Sequence, residues 1–178
     1  PVTLKVGRQE LSYGDERLIG AFDWNNLGRV FDAAKLRFEN ETLWVDAFAG
    51  RVVLVDANNF NVANDYDWFS GVYASTKTLC PKQETQLYFL ARNTATGSST
   101  ANAPAAPQAG GPPARDIYTI GLRVKSLPGA FGNWDYDAEL AGQFGRFVSA
   151  GSSLDQEAFA AHLAGGYTWK DTIWSTRL

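Results

Sequence analysis

The stretch that decides the fold is residues 68–92, which read WFSGVYASTKTLCPKQETQLYFLAR. A turn at residues 79–82 folds this stretch into a hairpin of two alternating strands. Strand side chains alternate between two faces, and directly opposed residues share a face. One face of the hairpin is then apolar and the other polar. The predicted opposed pairs are Val72–Phe89 and Ala74–Leu87 on the apolar face, with Lys77–Glu84 and Ser75–Gln86 on the polar face.

Two further stretches, residues 30–50 and 116–140, divide in the same way. A turn at 39–42 in the first and a longer turn in the second give each hairpin one apolar and one ionic face. The predicted apolar pairs are Leu36–Val45, Phe38–Leu43, Val124–Trp134 and Leu122–Tyr136, and the predicted ion pairs are Lys35–Asp46 and Arg123–Asp135. A continuous apolar face backed by matched ions is typical of a barrel wall between lipid and water.

Eight strands are predicted along the chain, most of them close to the ~9–11 residues that a tilted strand needs to cross a bilayer. Their predicted bounds are 2–11, 29–38, 43–55, 67–78, 83–93, 115–125, 134–146 and 157–169. Helical periodicity competes only at 157–164, which is rich in alanine. Short connections at 39–42, 79–82 and 126–133 alternate with long ones at 12–28, 56–66, 94–114 and 147–156, as in outer-membrane barrels.

The fold class predicted is therefore all-β: an antiparallel up-and-down transmembrane β-barrel with about eight strands in this chain. Residues 1–178 form a single barrel segment, in which the low-complexity stretch 94–114 is a long mobile extracellular loop. The chain begins at Pro1 inside a predicted strand and contains no methionine, so we expect a fragment of a longer protein.

Bulk composition excludes some classes of protein. The net charge of −3 and the pI near 5.1 argue against a nucleic-acid binder, which would carry a basic face. No run of about 18 apolar residues is present, so no transmembrane helix is expected. An aromatic content of 13% favours strands and membrane interfaces.

The polar face of the predicted sheet carries the candidate functional residues. They are Lys5, Lys35, Arg37, Asp46, Arg92, Arg123 and Asp135. Arginine and lysine along a pore attract anions, and carboxylate neighbours hold their side chains extended. Arg8 belongs to this set only if a bulge at Gly7 turns it away from lipid, and Arg51 needs a similar bulge at Gly50.

Catalytic and metal-binding patterns are weak. His162 is the single histidine and Cys80 the single cysteine, so neither a His/Cys metal cluster nor an internal disulfide is expected. The acidic residues Asp56, Asp65 and Asp67 lack the spacing of a calcium loop. We therefore expect no enzyme activity, no catalytic residues, no cofactor and no metal.

Several blocks of the sequence are similar to a known family. They are VGRQELSYGDERLIG at 6–20, DWNN at 23–26, GRVFDA at 28–33 and WDYD at 134–137. Together they resemble the alginate export family of bacterial outer-membrane barrels, and the first block is the most specific. The resemblance implies a larger barrel of about eighteen strands, within the range of outer-membrane barrels.

The resemblance also implies a function. It is that of an outer-membrane porin that passively exports or admits an anionic polysaccharide or oligosaccharide, such as an alginate-like uronate, through a pore lined by lysine and arginine. It adds Arg17 and Arg29 to the candidate lining and supports Arg8. The implied partners are an anionic polysaccharide or small organic anion, outer-membrane lipid and periplasmic export proteins, with no nucleic acid.

Two alternatives remain open from the sequence. A barrel closed by about eight strands would be filled with side chains and would serve as a structural or adhesive outer-membrane protein. A soluble β-sandwich would bind carbohydrate through Trp24, Trp44 and Trp68. Expression without detergent separates the sandwich from a barrel, because an exposed apolar band aggregates in water.

Overall fold

Alternating apolar and polar residues give the chain eight β-strands. The structure is a computed structural model that describes residues 1–21, 28–54, 60–95, 114–149 and 152–169, with the backbone alone at 62, 65, 66 and 149. The strands are β1 (Val2–Gln9), β2 (Phe31–Glu39), β3 (Leu43–Leu54), β4 (Val62–Thr76), β5 (Gln83–Thr94), β6 (Arg115–Ser126), β7 (Trp134–Ser149) and β8 (Ser152–Tyr167). The predicted loop at 94–114 falls almost wholly outside the described residues.

All eight strands lie in one sheet in the order of the chain, and every neighbouring pair is antiparallel. Within the described residues the sheet is open, since β1 and β8 are its two edges. The predicted all-β, up-and-down fold is confirmed. The sandwich is wrong, because the described strands form one sheet and not two, and an eight-stranded closed barrel is not formed. The described part of the chain holds no helix of the length and apolarity needed to cross a membrane.

The predicted register is confirmed in the β4–β5 hairpin and displaced in the other two. Val72 pairs with Phe89 and Ala74 with Leu87, as expected. In β2–β3, however, Leu36 lies opposite Ala47, two residues beyond Val45. In β6–β7, Leu122 lies opposite Leu140, four residues beyond Tyr136. Both displacements are even, so each side chain keeps its predicted face although its partner changes.

Asn40 explains the first displacement. The turn begins at Asn40 and not at Glu39, because the Asn40 side-chain Oδ1 accepts hydrogen bonds from the backbone N–H groups of Thr42 at 3.0 Å and Leu43 at 2.8 Å. Such self-capping is a common use of asparagine in turns. Glu39 then pairs with Trp44, and every pair in the hairpin moves along by two residues.

Two consecutive glycine turns explain the second displacement. Gly129 and Gly132 have φ angles of +72° and +70°, which glycine adopts without strain. Ala130 N–H donates to Leu127 O at 3.1 Å, and Gly132 N–H donates to Gly129 O at 3.2 Å. The loop therefore folds on itself, and pairing with β6 begins only at Asp137, opposite Lys125.

Three local predictions are wrong. The connection predicted at 147–156 is short, because β7 and β8 continue until Ser149 pairs with Ser152. The prediction of a strand over 157–164 is confirmed, since cross-strand pairing with β7 overrides the helical propensity of these residues. No bulge occurs at Gly7, where pairing with β2 is continuous, and the irregularity in β3 lies beyond Arg51.

The sheet has two different faces. Residues 10–21, here named the covering segment, pack on the face that carries Asp46, Tyr73 and Tyr88. We name this the covered face. The opposite, open face is apolar: Leu36, Val72, Ile120 and Leu122 on it are between 45% and 51% exposed.

Candidate functional site

The covering segment follows β1 in the chain, and its buried side chains are part of the hydrophobic core. Its apolar side chains Leu11 and Ile19 are 1% and 3% exposed, which explains why this long connection lies against the sheet. Tyr13 N–H donates to Ile19 O at 3.2 Å, and Glu16 N–H donates to Tyr13 O at 3.1 Å, so the segment closes into a compact loop.

Asp46 anchors the covering segment at Tyr13. It is fully buried, and its carboxylate accepts two hydrogen bonds from Arg37, at 2.6 and 2.9 Å, and one from the Tyr13 hydroxyl at 2.8 Å. Lys35 Nζ lies 3.8 Å from the same carboxylate. Burial and the hydrogen bond to Asp46 raise the pKa of the Tyr13 phenol well above its usual range. The phenol therefore stays protonated and remains a donor.

Arg123 anchors the same segment at Asp15. This guanidinium is 2% exposed, and it donates to Asp137 on β7 at 2.8 Å and to Asp15 of the covering segment at 2.6 Å. Asp15 also accepts a hydrogen bond from Arg17 at 3.1 Å, and Arg17 donates to Glu139 at 2.7 Å. The covering segment is thus tied to β6 and β7 by alternating charges that satisfy one another.

Stacked aromatic rings join these two ionic anchors. Tyr73 stacks on Tyr13, Tyr88 and Trp44, with ring centroids 4.6, 5.2 and 5.7 Å apart and planes within 17° of parallel. Tyr88 also donates to Glu139 at 2.8 Å. The rings need space, and Gly121 provides it: a Cβ at this position would lie 2.1 Å from the Tyr88 ring.

A cavity of about 490 Å³ lies beside the covering segment, between it and strands β3–β7. Its charged lining residues are Arg29, Arg92, Arg115 and Asp67, so three cations face one anion. Polar lining residues include Asn64, Thr119 and Gln143. A cavity of this size and charge fits one or two sugar rings that carry a carboxylate.

The arginines of the cavity differ in their bonding. Arg92 donates to Asp67 through two hydrogen bonds of 3.0 and 2.6 Å, and Thr94 donates to the same carboxylate at 3.0 Å. The Arg115 Nε is buried and has no hydrogen-bond partner among the described residues. A buried donor without an acceptor is costly, and a bound oxygen ligand would satisfy it.

Comparison with protein families assigns the chain. The family model described as alginate export matches residues 1–178, the whole of the sequence. The chain belongs to the alginate export family. The comparison with curated proteins finds no match.

The structure sorts the predicted site residues of this family member into two groups on the covered face. Arg17, Lys35, Arg37, Asp46 and Arg123 belong to the anchors of the covering segment, and Arg29 and Arg92 line the cavity. Lys5 is also on the covered face, opposite Lys35. Trp44 also lies on the covered face, where its ring stacks on Tyr73.

Three predictions about faces and partners need correction. Arg8 lies on the open face opposite Asp32, because the expected bulge at Gly7 does not form. Arg123 pairs with Asp137 and Asp15, not with Asp135, because of the shifted β6–β7 register; Asp135 lies opposite Gly166. The shift in β2–β3 makes Arg37 the residue directly opposite Asp46, while the predicted ion pair of Lys35 with this carboxylate is kept at 3.8 Å.

Arg92, for which the sequence analysis names no partner, pairs with Asp67. In the sequence, Asp67 belongs to a group of acidic residues without calcium-loop spacing, together with Asp56, which is outside the described residues. The described residues contain no group of three or more acidic, histidine or cysteine side chains suited to a metal ion.

Sequence reasoning did not find Tyr13, Asp15 or Arg115 as site residues. Tyr13, within the covering segment, faces the sheet and is 7% exposed. Buried apolar residues within a long polar connection, such as Leu11 and Ile19, were the available signal that the segment packs inward. Arg115 begins a strand after a low-complexity stretch, and no pattern in the sequence marks it.

Proposed function

We propose that the chain forms part of the wall of an outer-membrane porin that passes an anionic polysaccharide or oligosaccharide, such as a uronate. The alginate export family is an outer-membrane porin family, and the open, all-β meander is consistent with a segment of a barrel wall. The function involves diffusion without covalent chemistry. The covered face is the wall of the pore, and the open face contacts lipid.

The observation that carries this proposal is the excess of arginine around the cavity. Among the described residues, Arg29, Arg92 and Arg115 line it against a single anion, Asp67. Guanidinium groups are the side chains best matched to carboxylates, since their planar fork makes two parallel hydrogen bonds. Arg92 is partly engaged by Asp67, which holds it extended and leaves the wall weakly cationic.

Ion selectivity in planar bilayers tests the proposal. We expect the protein to prefer chloride over potassium in reversal-potential measurements, and Arg115→Glu to lower or reverse that preference. Asp67→Asn removes the one anion found among the described lining residues and is expected to raise the chloride preference. Arg146→Glu makes the same charge change on the open face, where the Arg146 side chain is 75% exposed, and should leave selectivity unchanged.

Blocking of the current tests the class of solute. A short oligogalacturonate added to one side should block the ion current, and a neutral malto-oligosaccharide of equal length should block it less. In Arg92→Gln/Arg115→Gln we expect the half-blocking concentration of the uronate to rise about tenfold, as for the loss of one good charged contact. Equal blocking by both sugars in the unmodified protein contradicts the proposed solute.

A further inference from the structure

Within the described strands, the charged side chains of the open face, Glu157 aside, lie in one row at the end of the sheet opposite the turns at 39–42, 79–82 and 126–133. This row crosses all eight strands, and each member lies directly opposite the next. We name it the charged row; its members are Arg8, Asp32, Arg51, Trp68, Asn93, Asp116, Arg146 and Asp155.

Neighbours along the charged row interact with one another. Arg8 donates two hydrogen bonds of 2.9 Å to Asp32, and the Arg51 guanidinium lies 5.3 Å from the centre of the Trp68 ring. At the other side of the sheet, Asn93 donates to Asp116 at 2.7 Å. The Arg146 and Asp155 side chains lie 3.3 Å apart and are 75% and 80% exposed.

The charges of the row balance and remain accessible. Three arginines alternate with three aspartates, and the Arg8 and Asp32 side chains are 43% and 33% exposed. A row of this kind fits a layer that presents both phosphate and amine groups. Arginine suits phosphate, aspartate suits an ammonium group, and tryptophan is most stable at the level of lipid headgroups.

A second boundary lies at the opposite end of the open face. Trp134, Tyr167 and Trp169 form an aromatic cluster there, with ring centroids 4.9 Å apart. Along β7 the cluster and the charged row are separated by twelve residues, from Trp134 to Arg146. At ~3.4 Å per residue and a tilt of ~40°, twelve residues span about 30 Å, the thickness of the hydrocarbon core.

The side chains between these boundaries are apolar with few exceptions. On β6 they are Tyr118, Ile120, Leu122 and Val124, and on β5 they are Leu87, Phe89 and Ala91. Glu157 is the one charged residue of the described strands that faces this zone, one row inside the charged row, opposite Phe144. A desolvated charge deeper in the zone would be expensive, which explains why the charges collect in one row.

We propose that the charged row binds the phosphate and amine headgroups of one membrane leaflet and thereby sets the depth of the sheet in the bilayer. The row is a lipid contact surface distinct from the cavity on the covered face. It depends on the open face being the lipid face, but not on ion selectivity or on the identity of the solute.

Nitroxide labels test this assignment in the protein reconstituted into vesicles of phosphatidylethanolamine and phosphatidylglycerol. In a Cys80→Ser background, Trp68→Cys places the label in the charged row. Val72→Cys places it on the same strand and face, four residues further along. At the rise and tilt given above, four residues correspond to about 10 Å of depth.

The label at 68 is expected to relax the lipid ³¹P resonance several times more strongly than the label at 72. A water-soluble nickel complex should collide more often with the label at 68, and dissolved oxygen more often with the label at 72. Equal ³¹P relaxation by both labels, or oxygen contact at neither, overturns the proposal. Loss of anion preference with the ³¹P difference intact would instead count against the proposed function alone.

A second comparison tests whether the arginines act on depth. Arg51→Ala/Arg146→Ala is expected to lower the ³¹P relaxation caused by a label at 72, or to raise it, because the sheet loses its fixed level. Lys5→Ala, on the covered face and outside both the anchors and the cavity lining, is the control and should leave this relaxation unchanged. An unchanged value in the double variant shows that the row merely tolerates the headgroup layer, and overturns its role in setting depth.

Discussion

Asp46 is the single residue on which the covering segment depends most. It is a fully buried carboxylate that satisfies Arg37 on the neighbouring strand and Tyr13 of the segment. A buried ion pair of this kind adds little compared with an apolar pair, but removing one partner leaves an uncompensated charge. The ion pair should therefore affect stability mainly when one of its two partners is removed.

Asp46→Ala is expected to lower the free energy of unfolding by about 3 kcal/mol, the lower end for a broken buried pair, since Arg37 keeps some access to water. Urea titration of the reconstituted protein, followed by tryptophan emission, measures the change. Asp155→Ala makes the same substitution at a side chain that is 80% exposed, and we expect less than about 0.5 kcal/mol there. Equal losses in both variants contradict the role assigned to Asp46.

Gly121→Ala tests the fit of the aromatic stack. The new Cβ would lie 2.1 Å from the Tyr88 ring, so the ring must move away from Tyr73 and Glu139. We expect a loss of about 1–3 kcal/mol, as for other overpacked sites. Gly142→Ala on the adjacent strand meets nothing within 4 Å and should be neutral. Adding Tyr88→Ala to Gly121→Ala should abolish the penalty of the methyl group.

At the scale of elements, the faces of the strands were predictable and the partners were only partly so. Period-two alternation assigned Asp46, Trp44 and Arg123 to the covered face without reference to any turn. Registers depend on turn details: Asn40 capping its own turn and the glycine turns at 129–132 moved two hairpins by two and four residues. Neither the Asn40 turn nor the glycine turns can be inferred from the alternation of residues along the strands.

The covering segment was not predictable as a packed element, because its contacts are distant in sequence. Arg17 and Glu139 are separated by 122 residues, and Arg123 and Asp15 by 108. The cavity depends on the segment, since Leu18 and Ile19 form part of its wall. Hence the arginines of the site were largely identified in advance, but their separation into anchors and cavity lining was not.

Asp15→Asn is expected to loosen the covering segment, because it removes the charge that links Arg17 to Arg123. If the segment lies across the pore, single-channel recordings should then show a larger conductance or more frequent opening steps. Glu10→Gln is the matched control: it changes the same charge in the same segment at an exposed position. A conductance unchanged by Asp15→Asn, or raised equally by Glu10→Gln, contradicts this role.

At the scale of the whole molecule, the open face should respond to charge according to depth. Arginine at the centre of a bilayer costs about 2–4 kcal/mol in a β-barrel, but only ~0–1 kcal/mol near the interface. Leu87 is 54% exposed within the apolar zone, and Asn93 lies on the same strand and face in the charged row. Substitution by arginine at these two sites therefore compares the same side chain at two depths in the bilayer.

Leu87→Arg is expected to lower the free energy of unfolding by about 2–4 kcal/mol, and Asn93→Arg by only ~0–1 kcal/mol. Urea titration of the protein in vesicles measures both changes. Asn93→Arg also gains a carboxylate neighbour in Asp116. Transfer to buffer without detergent should convert the unmodified protein into large aggregates, detected by sedimentation, because the open face exposes a continuous apolar surface. A monodisperse protein in buffer contradicts a lipid-facing sheet.

The stacking of Trp44 with Tyr13 and Tyr73 has a practical consequence for spectroscopy. Their ring centroids lie 6.2 and 5.7 Å apart in nearly parallel planes, close enough for excitonic coupling of the aromatic transitions. Near-ultraviolet circular dichroism should therefore carry a contribution from Tyr13 that disappears when residues 10–21 leave the sheet, while the Trp44–Tyr73 contribution within the sheet remains. Movement of this segment can be followed optically in native protein, with a Trp44→Phe spectrum as the blank and no attached dye.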